Sequence, residues 1–148
     1  MKHTYLLFAS LLAVGCATTS DNSVKASTAS TFQKVEVVSV YDGDTFRVNL
    51  HCKERLFCQN VPVRVRGVDT PELNSVSERV RKKAVEAKNF TANFLRGKSD
   101  VTLYNCGRDK YFRIVCRVKA DNKDLTNALL NEGLGLAYEG GEKPNHLD

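Results

Sequence analysis

Val38-Ser-Val-Tyr-Asp-Gly-Asp-Thr-Phe-Arg-Val-Asn-Leu50 and Val63-Arg-Val-Arg-Gly-Val-Asp-Thr-Pro-Glu72, separated by a cysteine-flanked loop, decide the fold of this chain. In both runs apolar residues alternate with polar ones, the period of a half-buried strand. Asp42-Gly43 is the turn signal between two predicted strands, Lys34 to Val40 and Thr45 to Leu50. Val61 to Val68 gives a third. Residues two apart share a face of a strand, so Val61, Val63 and Val65 lie on one side and Arg64 and Arg66 on the other. Gly67 interrupts the pattern just before Asp69, as a bend requires, and Pro71 ends it because proline cannot donate to a ladder.

The same runs carry the chemistry. Asp42, Asp44, Asp69 and Glu72 are four carboxylates in a chain of net charge +5. Carboxylates held together repel unless a cation or an arginine sits among them. An all-oxygen set suits a hard divalent ion such as Ca²⁺. Arg64 and Arg66 add planar, forked donors that match phosphate oxygens. Acids, arginines and a divalent cation together are what phosphodiester hydrolysis needs: an activated water, neutralisation of a non-bridging oxygen, and fixed donors for the growing charge. Each signal alone is weak. An Asp-Gly turn is a common hairpin, and Arg113 by itself reads as a surface arginine.

Outward from this centre the chain is easily divided. Met1-Lys-His is a cationic head, and Thr4 to Val14 is an apolar run too short to span a membrane but suited to a secretory leader. It ends in Leu12-Ala-Val-Gly-Cys16, which resembles a bacterial lipobox with Ala13 where leucine is usual. Cys16 is then the lipidation site, residues 1–16 the signal peptide, and the protein an exported, lipid-anchored one of the cell envelope. Ala17 in place of aspartate points to the outer membrane, periplasmic side, in a Gram-negative cell. Residues 17–33, rich in Ser, Thr and Ala, read as a flexible tether. Losing Lys2 with the leader lowers the net charge by one, still an excess that favours a polyanionic partner without specifying a reaction.

Four cysteines remain: Cys52, Cys58, Cys106 and Cys116. They allow three pairings. The local one, Cys52 with Cys58 and Cys106 with Cys116, is expected because each pair brackets a turn between strand-like runs. CxxC-type zinc spacing is absent, and export supplies an oxidising compartment. Ser75 and Glu78 have capping-box spacing. A helix follows with a stripe of Val76, Val80, Ala84, Ala87, Phe90 and Phe94, closed by Gly97. Arg79, Arg81, Lys82, Lys83 and Lys88 read as its solvated face. Val101 to Cys106 and Arg113 to Ala120 form a hairpin, Asp124 to Glu132 a short helix capped by Gly133, and Leu134 to Tyr138 a last extended segment.

Asp42-Gly-Asp-Thr45, Arg64-x-x-x-x-Asp69-Thr-Pro-Glu72, Asp109-Lys-Tyr-Phe-Arg113 and Asp124-Leu-Thr-Asn-Ala-Leu-Leu-Asn-Glu-Gly133 occur in the order found in the staphylococcal nuclease (thermonuclease) family. The resemblance runs from about Val35 to Tyr138. The element order permits a five-stranded Greek-key barrel; the resemblance selects it. It implies an α+β, mainly β chain: an OB-fold barrel with two or three helices over residues 34–140, followed by a tail, 141–148. It further implies a Ca²⁺-dependent nuclease for DNA and RNA, cutting on the 5′-oxygen side, with single strands preferred and a monomer expected. Asp44, Asp69 and the Thr70 carbonyl are the implied metal ligands, with Asp42 in the outer sphere. Glu72 is the implied general base. Arg64 and Arg113 are the implied phosphate ligands and transition-state stabilisers, and Lys110, Tyr111 and Tyr138 the implied nucleotide contacts. Gly140 departs from the pattern, standing where a second tyrosine can occur.

No groove-reading motif is present, so sequence-specific recognition is not expected. Two rivals share these residues. One is a non-catalytic OB-fold lipoprotein that holds nucleic acid; the other is an envelope lipoprotein whose acids bind Ca²⁺ for stability. The filled set of five charged positions argues against the first, and Arg64 and Arg113 against the second.

Overall fold

The structure, a computed structural model, describes residues 30–146. The leader, the lipidation site Cys16 and most of the tether lie outside the described residues. Nine strands and three helices follow in the order β1 (Ser30–Phe32), β2 (Glu36–Val40), β3 (Thr45–Asn49), α1 (Arg55–Cys58), β4 (Val61–Val65), β5 (Gly67–Asp69), α2 (Glu78–Leu95), β6 (Val101–Arg108), β7 (Ile114–Ala120), β8 (Lys123–Asp124), α3 (Leu125–Asn131) and β9 (Leu136–Tyr138).

Five of these make the barrel. The sheet runs β1-β6-β7-β4-β3-β2, with β8 on β7. The β4–β7 pair is parallel and its other neighbours antiparallel. The Val35 amide donates to the Val101 carbonyl at 2.9 Å, which brings β2 round to β6 and closes the circuit. This is the expected Greek-key OB-fold barrel in an α+β chain with three helices. The alternating apolar residues fill it: Phe46, Val48, Val63, Val65, Leu103 and Val118 are fully buried, with Leu125 and Leu129 of α3 against them.

The single strand expected over Val61 to Val68 is two. Gly67, at φ +88°, turns the chain out of the main sheet, a conformation an L side chain resists. β5 then pairs with β9, Gly67 opposite Tyr138 and Asp69 opposite Leu136. β1 lies inside the stretch that reads as tether, paired with β6 as Ser30 opposite Cys106 and Phe32 opposite Leu103. Both disulfides are the local ones, Cys52–Cys58 and Cys106–Cys116.

The long helix starts later than its capping box suggests. Ser77, not Ser75, is the cap, its side chain accepting from the Val80 amide. Arg81 donates to the carbonyls of Ser75 and Val76 at 2.7 and 2.9 Å and so holds them outside the helix. Val76, expected in the buried stripe, is 98% exposed. The stripe is Val80, Ala84, Ala87, Thr91 and Leu95, with Phe90 and Phe94 partly buried beside it. Asp124 caps α3 by accepting from the Asn127 amide at 2.9 Å.

Candidate active site

The turn between β2 and β3 is gripped by its surroundings. A Cβ on Gly43 would stand 2.7 Å from the Ala87 Cβ and 2.8 Å from the Thr70 hydroxyl, so only glycine fits between helix and strand. The Thr91 hydroxyl of α2 donates to the Gly43 carbonyl at 2.6 Å. Asp42 accepts from the Asp44 amide at 3.1 Å. Asp44 is thereby aimed inward, and only 4% of it is exposed. Its Oδ2 accepts from the Thr70 amide at 2.7 Å and the Thr70 hydroxyl at 3.0 Å. Asp69, at the end of β5, is 1% exposed.

Two buried carboxylates need compensation, and Arg64 of β4 provides it. One guanidinium nitrogen pairs with Asp44 Oδ1 and the other donates to Asp69 Oδ1 at 2.6 Å. Burial lowers the Arg64 pKa from its ordinary value, with the charges of Asp69 and Asp42 opposing. Burial likewise raises the Asp42 carboxyl, against the Thr45 backbone hydrogen bond and the Arg64 charge.

Above this pair opens a cavity of about 440 Å³. Asp44, Arg64, Glu72, Lys110, Tyr111, Arg113 and Tyr138 all line it, together with Tyr41, Asp42 and Lys143. A smaller cavity of about 210 Å³ adjoins it along Arg64, Lys110, Tyr111, Arg113 and Tyr138. Arg113 is set by Asp109, which accepts from its Nε at 2.8 Å and its amide at 3.0 Å. Burial pushes the Asp109 carboxyl up, and the hydrogen bonds from Arg113 and the Tyr111 amide more than offset it, leaving it below its ordinary value. Lys110 and Arg113 both approach the face of Tyr111, at 5.1 and 5.5 Å from its centroid.

The residues expected in chemistry are thus brought together around the cavity, except that Asp69 and Thr70 are not in its lining and join it through their bonds to Arg64 and Asp44. Thr70 meets Asp44 through its amide and hydroxyl. Among the described residues no group of three or more His, Cys, Asp or Glu side chains is gathered to hold a metal ion. The oxygen donors available are the Asp44 and Asp69 carboxylates, a buried pair of the hard-ligand type that fits Ca²⁺.

Two participants come from residues 141–148, which read as a tail. Lys143 pairs with Glu72 Oε1 and lies 3.7 Å from Asp69 Oδ1. His146 Nε2 lies 2.9 Å from Asp69 Oδ2. The hydrogen bond to Glu72 raises the Lys143 pKa, with burial opposing. Nothing in the local sequence announces these contacts, which join residues 71 and 77 positions apart.

Residues 62–148, more than half of the chain, match the family described as staphylococcal nuclease homologue. The chain belongs to that family. Among its curated relatives, a "Probable endonuclease LCL3" of Podospora anserina is 30% identical over 126 residues, covering 70% of this chain and 45% of the relative. A "Probable endonuclease lcl3" of Schizosaccharomyces japonicus is 32% identical over 127 residues, covering 70% and 54%. A "Probable endonuclease C19F8.04c" of Schizosaccharomyces pombe is 29% identical over 129 residues, covering 72% and 56%. The chain spans about half the length of the curated relatives it matches.

Proposed function

We propose that this protein is an exported, Ca²⁺-dependent endonuclease that hydrolyses DNA and RNA with little sequence specificity, preferring single strands and acting as a monomer. The observation that carries the reading is the convergence of Glu72, Arg64, Arg113, Lys110, Tyr111 and Tyr138 on one cavity that the buried Asp44 also lines, with Asp69 buried behind it on Arg64. The endonuclease names of the relatives support it.

Asp44 and Asp69 would hold Ca²⁺, with the Thr70 carbonyl as a third oxygen. Bound there, the ion supplies Lewis-acid stabilisation of a phosphate oxygen. Glu72 takes the proton of the attacking water as the water oxygen bonds to phosphorus and the P–O5′ bond breaks, the leaving O5′ taking up a proton from solvent water. A positioned base of this kind contributes about 10²–10⁴-fold. Arg113, oriented by Asp109, and Arg64 donate to the non-bridging oxygens as charge builds on them, each such donor worth ~3–4 kcal/mol. Lys110 neutralises a neighbouring phosphate, and Tyr111 and Tyr138 stack on bases, at about 1–3 kcal/mol per base. Lys143 occupies the Glu72 oxygen in the structure, so binding of substrate phosphate draws that lysine away from the base.

Export and a lipid anchor at Cys16 belong to the same proposal, supported by two disulfides, which persist in oxidising compartments. Among the described residues no helix is long and apolar enough to cross a membrane.

The test is cleavage of single-stranded DNA with Ca²⁺, with chelator, and as Glu72→Gln. Ca²⁺-dependent cutting that falls by about 10²-fold or more in Glu72→Gln is the expected result. Binding without cutting in any metal would leave a non-catalytic OB-fold module, and neither would leave a structural lipoprotein.

A further inference from the structure

The loop between β3 and β4 takes no part in the catalytic reading. It is nonetheless tightly built. The Cys52–Cys58 disulfide closes a ring of sequence separation 6 around the single turn α1. At its base the Leu50 amide donates to the Cys58 carbonyl at 2.7 Å, and the Asn60 amide to Asn49 Oδ1 at 2.9 Å. On this frame Leu56 is 85% and Phe57 76% exposed. A free chain would turn two such side chains toward other apolar surface; this ring holds them outward. Lys53, Glu54 and Arg55, all exposed, precede them on the same turn.

The second observation is where the loop stands. His51 Nε2 donates to the Lys34 carbonyl at 2.8 Å, tying the foot of the loop to the segment between β1 and β2. That segment directly follows β1, the first described strand of the domain. Ser30, the first residue of β1, lies fourteen positions after Cys16.

We propose that the Cys52–Cys58 loop is a membrane-seating tip that places Leu56 and Phe57 in the interface of a bilayer carrying anionic lipid, with Lys53 and Arg55 against headgroup phosphates. The proposal rests on the lipid-anchor reading of Cys16, not on the nuclease reading. Exposed apolar residues joined to cations are the chemistry of an interfacial anchor. An anchored chain meets the bilayer intramolecularly, so a weak second contact suffices. Seating the loop fixes which end of the barrel faces the lipid.

The chain contains no tryptophan. Phe57→Trp in the full chain is therefore a single-site fluorescence reporter, and Val76→Trp, at a 98% exposed position, is its control. The probes are vesicles of phosphatidylethanolamine with phosphatidylglycerol, and of phosphatidylcholine alone, each with bromine-labelled acyl chains. The expected result is a blue shift and several-fold stronger quenching of Phe57→Trp than of Val76→Trp on the anionic vesicles. Adding Lys53→Gln and Arg55→Gln should bring that quenching on the anionic vesicles down toward the Val76→Trp level, with little change on phosphatidylcholine. A Phe57→Trp emission that stays unshifted while the chain is bound to vesicles, or quenching equal at both positions, would overturn the proposal and leave the loop as a protein-docking or purely structural turn. The mass of the mature chain tests the anchor separately: an unlipidated chain whose Phe57→Trp signal still responds to vesicles retains the tip and loses only the anchor.

Discussion

The two walls of the acidic cavity are held in opposite ways. On one, Asp44 and Arg64 are buried and bonded to Asp69 and Thr70 behind them, and the Thr91 hydroxyl of α2 holds the adjoining Gly43 carbonyl. On the other, Lys110 and Tyr111 stand exposed, and Arg113 half-buried, on a turn that Asp109 alone organises. The first wall cannot shift without disturbing the barrel, so its geometry belongs to the fold. The second rests on the Asp109 carboxylate and two backbone hydrogen bonds of the same turn. On the proposed reading, this division gives a rigid side for a cation and an adaptable side for a flexible polymer.

The sharpest way to break the contrast is Arg64→Ala without divalent ion. Asp44 would lose its guanidinium partner and Asp69 would keep Lys143 and His146, a loss of about 3–5 kcal/mol in denaturant unfolding. Added Ca²⁺ should recover part of it, because the ion neutralises the same pair; no recovery would remove the cation from this side. Next is Gly43→Ala. Its methyl would collide with Ala87 and Thr70, costing about 1–3 kcal/mol in the same measurement.

Asp109→Asn probes the opposite wall, through pH. The depressed carboxyl contributes stability that is present above its ordinary value of 3.8 and is lost as pH falls through its lower folded value. The stability gap between the native chain and Asp109→Asn should therefore be constant near neutrality and close below about pH 4. A gap unchanged at low pH would show that Asp109 does not organise the turn by charge. The smallest effect belongs to Lys143→Ala. This pair is about half exposed, so unfolding should change by no more than about 1 kcal/mol. Calcium affinity, read by calorimetry, should rise as a competing cation is removed; unaltered affinity would make the Lys143 contact incidental to the carboxylate pair.

The rigid wall was the legible one. Its acids and arginine sit at turns and on one face of alternating runs, so the local pattern announces them, and the element order with the family resemblance supplies the barrel. The Asp109-Lys-Tyr-Phe-Arg113 turn was legible as a motif, but its dependence on Asp109 needed geometry. What escaped is long-range or competitive. Lys143 and His146 reach the carboxylates across more than seventy positions, and no local period encodes that. β1 carries one large apolar residue, Phe32, and becomes a strand only because β6 offers an edge. The start of α2 moved because Arg81 competes for the carbonyls of Ser75 and Val76, which a capping pattern does not register.

That short strand has a mechanical meaning. β1 is three residues long, two of them exposed, and it joins β6 beside the point where the chain enters the barrel. If the N-terminus is the attachment point, any pull on the domain loads β1 first. Its few hydrogen bonds can peel from β6 while the Val35–Val101 closure and the circuit behind it stay shut. With the N-terminus held, β1 would be the first contact to give under load, while the cavity behind the Val35–Val101 closure stays undisturbed.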